Sequence, residues 1–136
     1  MNNIIAIIPA RSGSKSITDK NIKLLSGHPL IAYSIAAAKL SKKIERVIVS
    51  TDSKEYADIA KQYGAETPFI RPDEYSTDVS KDKDFLVHAM NWFKESESCS
   101  PEYWVHLRPT TPLRTVKVVD NAINETVLFH VFSSKL

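Results

Sequence analysis

Ile4-Ile5-Ala6-Ile7-Ile8 is apolar at every position, which fits a strand covered on both faces rather than a half-wetted one. Pro9 ends that run, and a polar segment extends to about Ser26. Pro29 stands at a helix start, where a missing N–H costs nothing. Leu30, Ile31, Ser34, Ile35 and Ala38 follow at helical spacing, to about Leu40. Val47-Ile48-Val49 predicts a second buried strand. Asp52 or Ser53 then caps a helix that runs to about Tyr63, with Gly64 as its C′ residue. Phe69-Ile70 closes a third, weaker strand terminated by Arg71-Pro72. After a polar loop to about Ser80, Phe85, Leu86, Ala89, Met90 and Phe93 form a helical stripe. Tyr103 to Leu107 predicts a fourth strand, Val116 to about Thr126 a helix, and Val127 to Phe132 a last strand.

Strands alternating with helices predict an α/β fold: a mostly parallel sheet with helices on both faces, a three-layer sandwich. No repeat or linker divides the chain, and 136 residues suit one domain. Ligands in such sheets bind outside the carboxyl ends of the strands. Four segments occupy those ends: 9–21, 50–53, 71–80 and 108–114.

Composition removes several function classes. There are 18 Lys+Arg against 16 Asp+Glu, interspersed, so bulk charge makes no case for nucleic acid or a membrane surface. Cys99 stands alone, which excludes an internal disulfide and a cysteine zinc cluster. No apolar run approaches the ~18 residues of a membrane span. The first residues lack a basic stretch and Pro9 stops the apolar run early, so they do not read as a signal peptide; a cytoplasmic protein is the expectation.

The chemistry concentrates in the strand-end segments. Pro9-Ala10-Arg11-Ser12-Gly13-Ser14-Lys15-Ser16-Ile17-Thr18-Asp19-Lys20-Asn21 carries three cations against one carboxylate. Its hydroxyls and N–H groups suit phosphate oxygens, and its cations suit the charge that builds during displacement at phosphorus. It is neither of two familiar phosphate loops. A P-loop requires Gly-x4-Gly-Lys-Ser/Thr, but Ile8 stands at the first Gly position and Lys15 follows Ser14; a dinucleotide turn requires three glycines and only Gly13 is present.

Asp52 is placed to accept from a ribose hydroxyl, to hold a metal or to cap the next helix. Arg71 is placed for a base or sugar contact or for a structural ion pair. Asp78, Asp82 and Asp84 lack the spacing of a calcium loop and suit a helix N-terminus. Arg108-Pro109-Thr110-Thr111-Pro112-Leu113-Arg114 offers hydroxyls and guanidinium forks on a proline-stiffened turn, suited to a carboxylate or phosphate. His28, His88, His106 and His130 show no metal-type spacing, and no Gly-x-Ser-x-Gly elbow exists.

Five ordered pieces carry a resemblance: Ile7-Ile8-Pro9-Ala10-Arg11-Ser12-Gly13-Ser14-Lys15, Lys20-Asn21, Val49-Ser50-Thr51-Asp52, Arg71-Pro72 with Thr77-Asp78, and Arg108 to Arg114. Together they resemble the acylneuraminate cytidylyltransferases, also called CMP-sialic acid synthetases. The resemblance reaches to about residue 125. It implies a nucleotide-diphospho-sugar transferase type of α/β fold. It also implies a magnesium-assisted reaction in which the anomeric hydroxyl of a nine-carbon 2-keto sugar acid attacks the α-phosphorus of CTP and pyrophosphate leaves. Such activation feeds cell-surface polysaccharide biosynthesis, and full-length relatives are homodimers.

Carried over by position, the resemblance implies a triphosphate cradle of Arg11, Ser14, Lys15 and Lys20, with Arg11 and Lys20 catalytic. It implies further CTP contacts from Asn21, Arg71 and Ser80, and sugar-acid contacts from Arg108, Thr110 and Thr111. The chain departs from the family pattern at four places. Ser16 and Thr18 stand where Gly and Pro are common, Arg108 where Gln is common, and Asp82 where a small hydroxyl residue is often found near the base. Family members are longer, and their later portion supplies an Asp-x-Asp metal site that has no counterpart here. Residues 1–136 therefore read as a single, incomplete nucleotidyltransferase domain, an apparently truncated N-terminal portion. Two alternatives are a non-catalytic nucleotide-binding fragment of that scaffold and a sugar-nucleotide-dependent glycosyltransferase. The latter would want an Asp-x-Asp at a strand end, which is not found.

Overall fold

The structure is a computed structural model that describes residues 3–133. The long elements are β1 (Ile4–Pro9), β2 (Leu24–Leu25), β3 (His28–Pro29), α1 (Leu30–Leu40), β4 (Arg46–Ser50), α2 (Lys54–Gln62), α3 (Asp82–Ser96), β5 (Tyr103–His106) and α4 (Val116–Ser133). Single 3-10 turns lie at Lys20–Ile22 and Asp73–Tyr75.

The main sheet has the order β4-β1-β5 and both pairings are parallel. Its central strand β1 is covered on both faces, as its unbroken apolar run requires. Ile4, Ala6 and Ile8 face α1, α2 and α4 through Ile31, Ile35, Tyr56, Ala60, Val119 and Ile123. Ile5 and Ile7 face the other way, with Ile48, against Phe69 and the α3 residues Phe85, Ala89 and Phe93. Those two cores make the expected three layers. Burying a residue such as Ile7, fully enclosed, stabilises the fold by roughly 1.5–3 kcal/mol, so β1 is the rigid spine on which the following loop is mounted.

Three features differ from the sequence expectation. Phe69-Ile70 is not a strand: pairing beside β4 is limited to one bridge, Ile48 with Glu66. Pro68 and Pro72 remove the donors that a continuing ladder would use, so the segment keeps only isolated bonds such as Arg71 N to Thr51 O at 2.8 Å. Phe69 still enters the core, while Ile70 is half exposed.

Val127 to Phe132 is not a strand either but the continuation of α4. Val119, Ile123 and Val127 recur every fourth residue and pack on the same core, so tertiary contact outweighs the β-branched composition. The Thr126 hydroxyl donates to Ala122 O at 2.8 Å, which satisfies the hydroxyl within its own helix.

The third difference is the small antiparallel hairpin β2–β3, where the sequence predicts a polar segment running into a helix start. Ser26 and Gly27 both have positive φ, 50° and 86°, as a two-residue type I′ connection requires. In α3, Met90 of the expected apolar stripe is about half exposed; Phe85, Ala89 and Phe93 supply the buried face.

Candidate functional site

The segments that follow β1 and β5, together with residues from 71 to 85, enclose a cleft of about 180 Å³, whereas 50–53 after β4 does not line it. Seven of the ten residues assigned by resemblance line it: Arg11, Lys20, Asn21, Arg71, Ser80, Arg108 and Thr110. Tyr75, Lys81, Asp82 and Phe85 complete much of the wall. The lining holds five cationic side chains against one carboxylate, in a chain whose net charge is only +2. Such a concentration of cations favours a polyanionic ligand. A larger groove of about 350 Å³ between β5 and α4 is mostly apolar and brings together no such cluster. Ser14, Lys15 and Thr111 are not in the cleft wall; Lys15 is largely exposed beside it.

Each wall has an identifiable support. Ala10 N donates to Ser50 O at 2.9 Å, extending the β1–β4 ladder one residue into the loop. Buried Asn21 donates from Nδ2 to Arg11 O at 3.1 Å and ties the two ends of the loop together. Arg11 and Lys15 both reach Asp78, at 3.0 and 2.9 Å, which links the first loop to the segment after Pro72. Lys15 foremost, with Arg11, holds the Asp78 carboxyl below the usual carboxylate range. The 71–80 segment is closed by Ser80, whose Oγ accepts from Thr77 N at 3.0 Å and shares a hydroxyl bond with Thr77 Oγ1 at 2.8 Å.

Arg71 is 3% exposed. Its Nε donates to Ser50 Oγ at 3.0 Å and its Nη2 to Ser50 O at 2.5 Å, while the guanidinium lies 5.2 Å from the Phe85 ring centroid. Burial pushes its pKa down to about 10, which leaves it charged at neutral pH. The guanidinium therefore both braces the end of β4 and adds a buried positive charge to the cleft wall.

The turn after β5 is fixed from below. Buried Ser34 of α1 donates to Arg108 O at 3.3 Å, and Thr111 N donates to the same carbonyl at 3.2 Å. Arg108 itself is ion-paired with Asp82 at the start of α3.

Asp52 is not the cap of α2. Ser53 is, its Oγ accepting from Tyr56 N at 3.3 Å. Both Asp52 oxygens turn back to Ser12 instead. Four carboxylates around the cleft are engaged by protein donors: Asp52 by Ser12, Asp78 by Arg11 and Lys15, Asp82 by Arg108, and Asp19 by Tyr56. Among the described residues no three His, Cys, Asp or Glu side chains group to hold a metal ion.

Sequence reasoning found the cations but not their partners. The bonds Ser12–Asp52, Asp19–Tyr56 and Arg108–Asp82 join residues far apart along the chain, and no local pattern encodes them. One signal was available for Asp52: its place at a strand end beside a polar loop.

Comparison with known proteins gives the family. Residues 5–127 match the family model described as cytidylyltransferase. The N-acylneuraminate cytidylyltransferase of Escherichia coli O18:K1:H7 is 46% identical over 111 residues, 82% of this chain and 25% of that protein. The CMP-N,N'-diacetyllegionaminic acid synthase of Legionella pneumophila is 40% identical over 120 residues, covering 88% of this chain and 51% of that protein. A solved CMP:2-keto-3-deoxy-manno-octonic acid synthetase complexed with CTP superposes with a TM-score of 0.76 at 19% identity, covering 91% of this chain and 47% of that one, a likeness of fold. The chain spans between a quarter and about half the length of these relatives. With nearly its whole length matched by the family model and its strand-end loops gathered at one cleft, this chain belongs to the cytidylyltransferase family.

Proposed function

We propose that this chain binds CTP in the cationic cleft and serves the transfer of CMP to the anomeric hydroxyl of a nine-carbon 2-keto sugar acid. In that reaction the hydroxyl oxygen forms a bond to the α-phosphorus, the bond from that phosphorus to the bridging oxygen breaks, and pyrophosphate leaves. The observation that carries the reading is the meeting of Arg11, Lys20, Arg71 and Arg108 in one hollow at the carboxyl ends of the strands. Phosphoryl transfer asks for positioning and cationic stabilisation more than for a covalent nucleophile. The names of the relatives, which include sialic, legionaminic and pseudaminic acid enzymes, support a sugar acid as acceptor.

In this reading Arg11 and Lys20, with Ser14 and Lys15 at the rim, take the triphosphate and offset the charge that grows on the leaving pyrophosphate. Asn21, Arg71 and Ser80 line the cytidine side. Arg108, Thr110 and Thr111 present donors to the acid's carboxylate. The family resemblance implies magnesium as an assisting ion, and no step here is routed through it. We place the protein in the cytoplasm; no helix among the described residues is long and apolar enough to cross a membrane.

The test is nucleotide selectivity: CTP raises the melting temperature more than ATP or UTP at equal concentration. Equal shifts for all three, or none, overturn the reading. A second reading, CTP binding without turnover, is favoured by the lack of a carboxylate cluster among the described residues. Pyrophosphate release on adding N-acetylneuraminate and magnesium rejects it.

A further inference from the structure

We propose that Asp52 and Tyr56 are positioning residues for the loop that carries Arg11 and Lys20. The proposal rests on the reading of this loop as the CTP triphosphate cradle. The loop leaves β1 and returns at the 3-10 turn Lys20–Ile22, and the β4–α2 junction holds it at both ends.

At the near end, Ser12 N donates to Asp52 Oδ1 and Ser12 Oγ to Asp52 Oδ2, each at 2.7 Å. Each carboxylate oxygen takes one of two donors from a single residue, so both the position and the orientation of Ser12 are fixed. Ser53, directly before α2, caps it, and Asp52, one position further out, is left for a partner 40 positions earlier.

At the far end, the Tyr56 hydroxyl donates to Asp19 Oδ1 at 2.7 Å. The Tyr56 side chain is 1% exposed in the core, so its hydroxyl is a fixed post. Burial, and then Asp19, push the phenol well above its usual range, so it remains a donor at every physiological pH. Asp19 has a φ of 50°, a left-handed conformation that few residues other than glycine adopt and that aspartate tolerates.

The consequence lies in the neighbours. Arg11 directly precedes Ser12, and Lys20 directly follows Asp19. The two loop cations that line the cleft are therefore each one residue from a clamp. A cation held before the ligand arrives loses less freedom on binding, and displacement of a charged group by about an ångström costs a large part of its effect. Neither Asp52 nor Tyr56 lines the cleft, so both act through the loop rather than on the ligand.

The experiment combines CTP titration calorimetry with amide hydrogen exchange over residues 12–20. It compares the unsubstituted chain with Asp52→Ala, Asp52→Asn and Tyr56→Phe. Asp52→Ala is expected to weaken CTP binding about tenfold and to speed loop exchange. Asp52→Asn keeps an acceptor for Ser12 N and can donate its amide to Ser12 Oγ. It is expected to retain affinity to within about threefold, the mark of geometry rather than charge. Tyr56→Phe removes one hydroxyl from a core ring and is expected to weaken CTP by about threefold, with faster exchange at Asp19 and Lys20. If Asp52→Ala does not fold, Tyr56→Phe carries the test. Unchanged loop exchange in a folded Tyr56→Phe or Asp52→Ala overturns the proposal, as does an Asp52→Asn variant as weak as Asp52→Ala. If the unsubstituted chain fails to bind CTP, the cradle reading falls, while the exchange data still decide whether the clamps order the loop.

Discussion

Arg108, on the turn after β5, and Asp82, in the first turn of α3, are ion-paired across the mouth of the cleft. These are two of the four positions that the sequence resemblance marks as departures, and the two meet each other in space. Both side chains are about half exposed, so the pair adds little stability. Under the proposed function its effect is on the ligand, because an incoming carboxylate competes with Asp82 for the Arg108 fork. Asp82→Ser is expected to tighten N-acetylneuraminate binding in the presence of CTP by about threefold, while changing stability by less than ~1 kcal/mol. Calorimetric titration checks this, and weaker binding would mean that Asp82 orients Arg108 rather than occupying it.

Arg11 and Lys15 likewise share one internal carboxylate, Asp78. Under the proposed function a triphosphate displaces it. Asp78→Asn is expected to raise CTP affinity by about two- to fivefold and to steepen its salt dependence, because two cations become available to the ligand. A loss of affinity would instead assign Asp78 to holding those cations in place.

Arg71 separates bracing from ligand contact. Arg71→Met leaves Ser50 Oγ without its buried donor and Ser50 O with Ala10 N alone, and is expected to destabilise the fold by about 1–3 kcal/mol in urea unfolding. Arg71→Lys keeps the charge but not the fork and is expected to recover only part of that loss. Arg108→Ala, at an exposed site, is expected to change stability by no more than about 0.5 kcal/mol.

The elements that sequence made legible share one property: each announces itself locally. The unbroken apolar run of β1 predicts a strand buried on both faces, and Ile4/Ile8 and Ile5/Ile7 do face two separate cores. The cations were legible because they follow strand ends, where the topology of a parallel sheet gathers ligands. What failed was competition decided at a distance. Phe69 looks like a strand residue and is buried like one, yet flanking prolines deny it a ladder. Val127 is β-branched but extends the Val119–Ile123 stripe into a helix because that face meets the sheet. Asp52 had a good local partner in the α2 N-terminus and took a remote one.

Two half-buried histidines give a pH dependence whose sign is fixed by their surroundings. His88 lies 4.9 Å from the Phe69 ring, and its Nδ1 is buried without a hydrogen-bond partner; burial, then the Arg71 charge, lowers its pKa below the usual imidazole range. His106 lies 5.2 Å from the Phe85 ring with Nε2 likewise unpartnered, and burial lowers its pKa too, against a smaller opposing pull from Asp82. Both are favoured as neutral rings in the folded chain, whereas in the unfolded chain they protonate near about 6.5. The unfolded state therefore binds more protons below that value, and stability is complete above it and lost as pH falls through the folded-state values. The carboxyls of Asp78 and Glu97, lowered chiefly by Lys15 and Arg46 respectively, contribute in the same direction but only below about pH 4.3. The melting temperature measured from pH 8 to pH 5 is expected to fall before those carboxylates titrate. His88→Phe keeps the aromatic contact with Phe69, removes one of the two protonation sites and is expected to flatten that fall. An equally steep decline in His88→Phe would place the proton uptake elsewhere, His106 being the group to replace next.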